Sequence, residues 1–160
     1  MLALKGLGCL LIVLSGYVFS RSRLMRESVS IGRLRSLKEL LRAIGSRIEN
    51  YCMPTDEILS ELPPELFYSC GYDPERLPES IDSLMEECPF SEDGEVYSFF
   101  CGYFSSLGTS YKAEEIVRCR LACDDVSAII DRRCAENGKR QKTLPVLSLC
   151  VSLIIAIIII

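Results

Sequence analysis

An all-α protein is predicted, with two terminal transmembrane helices flanking an antiparallel cytoplasmic helical bundle. Three observations predict it. The composition is 49% hydrophobic, and that apolar content is concentrated at the two ends of the chain. Residues 1–20 carry one charge, Lys5, and residues 144–160 carry none. Between them apolar residues recur at three-and-four spacing, and no segment alternates with the period of a strand. Three parts follow: an N-terminal transmembrane helix over 1–20, a cytoplasmic helical domain over 21–143, and a C-terminal transmembrane helix over 144–160.

A spanning helix needs about 20 mostly apolar residues, with a range of ~17 to 25. Residues 144–160 supply seventeen, which at about 1.5 Å of rise each is slightly short of a ~30 Å hydrocarbon core. Residues 1–20 supply enough if Lys5 reaches to the interface. A cleavable signal peptide is the rival reading of the first segment, since a short positive start precedes an apolar run and small residues at Ser15 and Gly16. Arg21, Arg23 and Arg26 follow at once, and such a flank opposes export of what comes after. Both apolar segments carry their cations on the side of the middle domain: Arg21, Arg23, Arg26, Arg33 and Arg35 after the first, and Lys139, Arg140 and Lys142 before the second. The bias of Lys and Arg toward the cytoplasmic side then makes the middle domain cytoplasmic and the chain a hairpin.

Within the middle domain the elements read in order. "IGRLRSLKELLRAIGSRIENY" puts Leu34, Leu37, Leu40, Leu41, Ile44, Ile48 and Tyr51 on one helical face, continuing from the first apolar segment. "MPTDEILSELPPELFYSCGYD" gives two short helices, the first capped by Thr55, the break at Pro63-Pro64, and the second ended by Gly71. "RLPESIDSLMEECPF" gives another, with Pro78 in its first turn, Pro89 after it, and Ile81, Leu84, Met85 and Cys88 inward. In "SEDGEVYSFFCGYFSSLG" Ser91 is the predicted cap, Val96, Phe99, Phe100, Tyr103, Phe104 and Leu107 form an aromatic face, and Gly108 closes the helix. The last stretch carries a seam of Ile116, Cys119, Cys123, Val126, Ile130 and Cys134, a packing stripe. The first and last long helices are expected to pack together.

The net charge of −4 hides a segregation. Residues 21–48 carry +6, residues 49–96 carry −13 and residues 97–143 carry +2. There is no histidine, which removes the commonest general base and excludes Ser-His and Cys-His nucleophiles. Nine cysteines are an odd count for a fully bridged framework. No Cys-x-x-Cys occurs, and Cys119 and Cys123 lack a second pair at metal-ligand spacing, so core thiols are the expectation and no metal or other cofactor is called for. The acidic block has no calcium-loop spacing and reads as a solvated face, with a docking surface for a basic partner as the functional alternative. The basic strip lies beside an apolar segment, so membrane lipids account for it and nucleic acid does not. No glycine-rich phosphate loop is present, and no enzymatic role is expected.

Four stretches in order resemble the stage III sporulation protein AB family. "GCLLIVLSGYVFSRSRLMR" looks like its leading membrane helix and basic exit. "RLRSLKELLRAIGSRIENYCMPTDEILSELP" looks like its first amphipathic helix, proline-containing turn and short helix. "FFCGYFSSLGTSYKAEEI" resembles its glycine turn before the final long helix, and the apolar C-terminal run matches in position. The family's turn continues with an acidic residue and then glutamine. Here Tyr111 takes the place of the acid, with Glu114 and Glu115 in the glutamine region, and the cysteine load is unusual.

The resemblance implies relatedness to the inner-membrane platform proteins of secretion and pilus machines. It implies a non-enzymatic membrane platform of the stage III sporulation channel complex, in the mother-cell-derived membrane around the forespore. The implied partners are a cytoplasmic secretion-type ATPase and other stage III sporulation membrane proteins, and a homo-oligomer is an open alternative. On exposure and charge, the expected docking residues are the acids Asp56, Glu57, Glu61 and Glu65 and the basic face Arg33, Arg35, Arg42 and Arg47. The competing function is a secreted or surface helical domain, cysteine-bridged, behind a signal peptide and with a C-terminal membrane anchor.

Overall fold

In the computed structural model six helices follow one another: α1 Leu2–Tyr51, α2 Thr55–Glu61, α3 Pro64–Cys70, α4 Ile81–Glu86, α5 Gly94–Phe104 and α6 Lys112–Ile159. The backbone is described for residues 2–51 and 55–159, and the side chains of residues 1–7, 9, 10, 12, 51–56 and 156–160 lie outside the description. Among the described residues there is no strand, so the fold class is all-α. Among the same residues no helix is long and apolar enough to cross a membrane. The described uncharged stretches, 13–20 and 144–155, are each shorter than the ~17 residues a span requires. The rest of the two expected spans lies outside the described side chains, as does the cap expected at Thr55.

The chain divides into two compact units, residues 32–130 and residues 1–31 with 131–160. In the first, α1 lays Leu34, Leu37, Leu40, Leu41 and Ile44 into the core, each almost wholly buried. Burying one such side chain contributes about 1.5–3 kcal/mol, so this stripe is the main reason α1 is held there. From α6 come Cys119, Ala122, Val126 and Ile130. The predicted seam is therefore right at three positions, while Ile116, Cys123 and Cys134 are only half-buried. Arg120 lies 3.5 Å from Glu49, and the Cys123 thiol lies 4.0 Å from the Lys38 carbonyl. Rising numbers on α6 meet falling numbers on α1, so the two run antiparallel in this unit.

The short helices close the other side of that core. Pro64 opens α3, where its missing N–H costs nothing, and Gly71 ends it at φ 110°. At that φ a side chain would be strained, and a Cβ on Gly71 would also crowd the Arg33 guanidinium and Pro89 at 3.1–3.3 Å. One predicted helix start and one predicted cap are corrected. Helix α4 starts at Ile81, after Pro78, because Ser80 and Ser83 form a reciprocal capping box. Helix α5 is capped by Asp93, whose carboxylate accepts the Val96 N–H, in place of Ser91. Gly108, at φ 83°, shapes the turn before α6 but does not end α5, whose last residue is Phe104. The Tyr72 hydroxyl donates to the buried Leu84 carbonyl at 2.9 Å and ties the loop after α3 to α4. Phe100 packs at a tilt between Phe90 and Phe104, with ring centroids 5.9 and 4.5 Å away.

In the second unit α1 and α6 are again antiparallel. Gly16 lies against Ser148 and Ser152, so closely that a Cβ there would overlap the Ser152 hydroxyl. Further along α1, Glu27 pairs with Arg140 at 2.5 Å. Small residues spaced by four on each helix allow this approach. Pro145 lies inside α6, where it removes one helical N–H and leaves the Gln141 carbonyl without its usual donor.

Phe100 has no exposed surface and bridges two other rings, whereas Tyr97 on the same helix is exposed. Phe100→Ala should cost about 3–5 kcal/mol and Tyr97→Ala within about 0.5 kcal/mol, read as the shift in urea midpoint at constant slope.

Candidate functional site

The charged residues expected to dock a partner are sorted by their neighbours in the unit formed by residues 32–130. Arg47 on α1 donates to Glu61 on α2 at 2.7 Å, with side chains 32% and 39% exposed. The proposed basic and acidic surfaces therefore meet here and neutralise each other. Arg42 is paired along its own helix with Glu39 at 2.8 Å. Arg33 lies over the Gly71 turn, and Arg35 is exposed and engaged in an interaction of its own. Glu57 and Glu65 are exposed and make no ion pair among the described residues. The Asp56 side chain lies outside the description. Of the eight residues, Arg33, Glu57 and Glu65 are exposed and make no ion pair among the described residues.

Between α1 and α6 the same unit carries a groove of about 400 Å³. Lys38, Arg42 and Glu49 line it from α1, and Arg120 and Asp124 from α6, over a floor that includes Leu41, Cys119 and Cys123. Lys38, Glu49, Arg120 and Asp124 were not singled out by sequence reasoning. Each is ordinary on its own helix, and only the antiparallel register brings them to one cleft.

The turn before α6 holds a second polar arrangement. The Glu115 side chain is 5% exposed and sits 3.6 Å from Arg118. Its Oε1 accepts the Ser110 N–H at 3.1 Å, and its Oε2 is buried without a hydrogen-bond partner. Arg118 donates to the Ser106 carbonyl at 2.8 Å and to the Ser110 hydroxyl at 2.9 Å. Glutamate in the opening turns of a helix is favoured by the exposed N–H groups there. Here it also fastens the 106–110 turn to α6, a role that spacing alone did not reveal.

None of the described cysteines, Cys70, Cys88, Cys101, Cys119, Cys123, Cys134 and Cys150, is bridged to another. Among the described residues no group of His, Cys, Asp or Glu could hold a metal ion. The Cys119 thiol and Tyr103 hydroxyl share a hydrogen bond at 2.8 Å. Burial pushes Cys70 up from 9.0 to about 12. Burial also raises Cys88, Cys119 and Cys123, though Arg42 and Lys38 oppose it at Cys123. Tyr72 and Tyr103 are raised for the same reason, with neighbouring thiols adding to the effect. Such thiols are poor nucleophiles and behave as apolar packing groups.

Exposed large apolar side chains concentrate in the other unit: Leu11, Leu14, Val18 and Phe19 on α1, and Val146, Leu147, Leu149, Val151, Leu153, Ile154 and Ile155 on α6. A continuous apolar surface of this kind marks a contact with another apolar phase or partner.

No family model matches the chain, no curated protein is similar to it, and no solved structure matches it.

A double-mutant cycle on Arg47 and Glu61 should give a coupling of at most about 1 kcal/mol, falling as salt is added, because both partners are partly exposed. The raised thiol and phenol groups set an alkaline limit. Each stays protonated in the fold after its unfolded counterpart has ionised, so the unfolded state binds fewer protons and stability falls with rising pH. Urea midpoints should be flat up to the ordinary thiol value of 9.0 and decline from there toward about 12.

Proposed function

We propose that this chain is a non-enzymatic membrane platform with two terminal transmembrane helices, a cytoplasmic helical domain between them, and a docking surface for a soluble motor. The observation that carries the reading is the exposed apolar surface on α1 and α6, densest at Leu11, Leu14, Val18 and Phe19 and at 146–155, which is flanked by Arg21, Arg23 and Arg26 on α1 and by Lys139 and Lys142 on α6, with Met25 and Val29 exposed among and just past the arginines. Hydrocarbon-facing side chains bounded by cations are what a bilayer and its cytoplasmic interface select. The sequence of residues 1–20 and 144–160 supplies the length. The order of motifs along the chain supports the closer assignment, a component of the stage III sporulation channel complex in the membrane around the forespore. Its cytoplasmic partner is then a secretion-type ATPase.

A platform of this kind offers a motor a rigid surface anchored to the bilayer, and hydrolysis belongs to the motor. Glu57 and Glu65 are the residues with charge to offer a basic partner, since Glu61 is engaged by Arg47. Charges at the edge of an interface set its specificity and association rate.

The native cysteines of the middle domain are poor topology reporters, because Cys70 and Cys88 are buried. Glu92 is exposed. Glu92→Cys should resist an impermeant maleimide in intact cells and react once the membrane is opened, and labelling of intact cells rules out the cytoplasmic placement. In the same cells, Glu57→Lys with Glu65→Lys should lower co-purification of a secretion-type ATPase severalfold. Unchanged recovery removes these acids from the docking surface.

A further inference from the structure

We infer that the cations at the end of the apolar surface form one binding site for the phosphate of anionic lipid headgroups, assembled from both α1 and α6. The inference rests on the membrane reading above and names the lipid class that this surface selects.

The argument starts from register. Gly16 lies against Ser148 and Ser152, and Glu27 against Arg140. From 16 to 27 α1 advances about 16 Å, and from 140 to 148 or 152 α6 covers about 12–18 Å in the opposite sense. The two stretches therefore occupy the same section of the helix pair. Arg21, Arg23 and Arg26 fall in that section from one side, and Lys142, with Lys139 at its end, from the other. All five are exposed. More than a hundred residues of sequence separate the two groups, and only the antiparallel pairing brings them to one level.

The acids nearby do not cancel them. Within residues 20–30 of α1 the one acid is Glu27, and within 137–143 of α6 there is none. Glu27 is already engaged by Arg140. Among the described residues Arg23, Arg26, Lys139 and Lys142 make no ion pair. Arg21 reaches the Tyr17 hydroxyl at 3.5 Å, which places a phenol of the kind favoured at bilayer interfaces beside the first cation.

The adjoining surface decides in favour of a lipid over a soluble anion. Val18 and Phe19 on α1 and Val146 and Leu147 on α6 are exposed next to the cations, from 59% to 70%. A headgroup phosphate held by the arginines and lysines leaves its acyl chains against these side chains. A free phosphate or a nucleic acid has no use for them. Clustered Lys and Arg immediately beside a membrane helix gain affinity for anionic lipid with each charge added.

The test uses the full chain in neutral detergent with equal amounts of phosphatidylglycerol and phosphatidylcholine, counting retained lipid by native mass spectrometry. The native chain should retain phosphatidylglycerol preferentially. Arg23→Gln with Lys142→Gln should lower that preference by about fivefold per cation removed. Glu27→Gln should raise it, because Arg140 is released to the site. Opposite changes from the two substitutions separate a lipid site from general damage to the fold, and both chains are compared by circular dichroism. Equal retention of the two lipids by the native chain, or an unchanged preference in the Arg23/Lys142 variant, overturns the inference. Displacement of the lipid by excess inorganic phosphate overturns the assignment to a lipid. Carbonate extraction of native membranes separates the two levels. A chain released by carbonate sinks the membrane reading and this inference with it, whereas a retained chain without lipid preference sinks this inference alone.

Discussion

The antiparallel pairing of α1 with α6 is the constraint on which the rest depends. The two helices are far apart in sequence, so closing the chain between them has an entropic cost, although that cost grows only slowly with loop length. Two different kinds of contact offset it. In the unit formed by residues 32–130 the contact is a conventional apolar core, to which Leu34, Leu37, Leu40, Leu41 and Ile44 on α1 and Cys119, Ala122, Val126 and Ile130 on α6 all contribute buried side chains, with Gly45 lying directly against Cys119. In the unit formed by residues 1–31 and 131–160 it is close approach of small residues, Gly16 against Ser148 and Ser152, with the Glu27–Arg140 pair beside it. The first contact draws on the hydrophobic effect. The second rests on van der Waals packing at close approach and on an interhelical ion pair more than on burial of large apolar side chains.

Charge is organised around that pairing. The strong segregation along the sequence suggests one basic and one acidic surface, each waiting for a partner. Part of it is neutralised inside the molecule, where Arg47 meets Glu61 and Arg120 meets Glu49 across segments, while Arg42 pairs with Glu39 and Arg118 with Glu115 within their own helices. Partly exposed pairs of this kind add little stability each, but they decide which charges remain for outside contacts. On the 32–130 unit those include Glu57 and Glu65, and on the other unit the cations next to the apolar surface. The buried thiols fit the same economy: raised by burial, they stay neutral and pack as small apolar groups.

Legibility varied with how local the cause was. The break at Pro63-Pro64 and the stop at Gly71 follow from backbone chemistry within a few residues, and the structure has both. The starts of α4 and α5 were misplaced because several polar residues compete there. Ser80 and Asp93 win by geometry that spacing cannot rank. The apolar stripe on α1 was readable as a 3.6-residue period, whereas the α6 seam was rotated: Ala122 and Glu115 are buried, and Ile116 and Cys123 are partly open. A burial pattern that includes a glutamate comes from its hydrogen bond to Ser110, which no hydrophobicity pattern encodes.

The sequence by itself determined the all-helical class, the main apolar face of α1 and the concentration of apolar residues at both ends. These follow from periodicity, composition and backbone preferences, which act over a few residues. Tertiary structure alone decided which charges cancel, that Lys38, Glu49, Arg120 and Asp124 share one groove, and that cations from opposite ends of the chain reach one level. Those outcomes depend on the register of α1 against α6. That register depends on where one helix leaves room for the other, as Gly16 does for Ser152, a property of two surfaces together that neither segment carries alone.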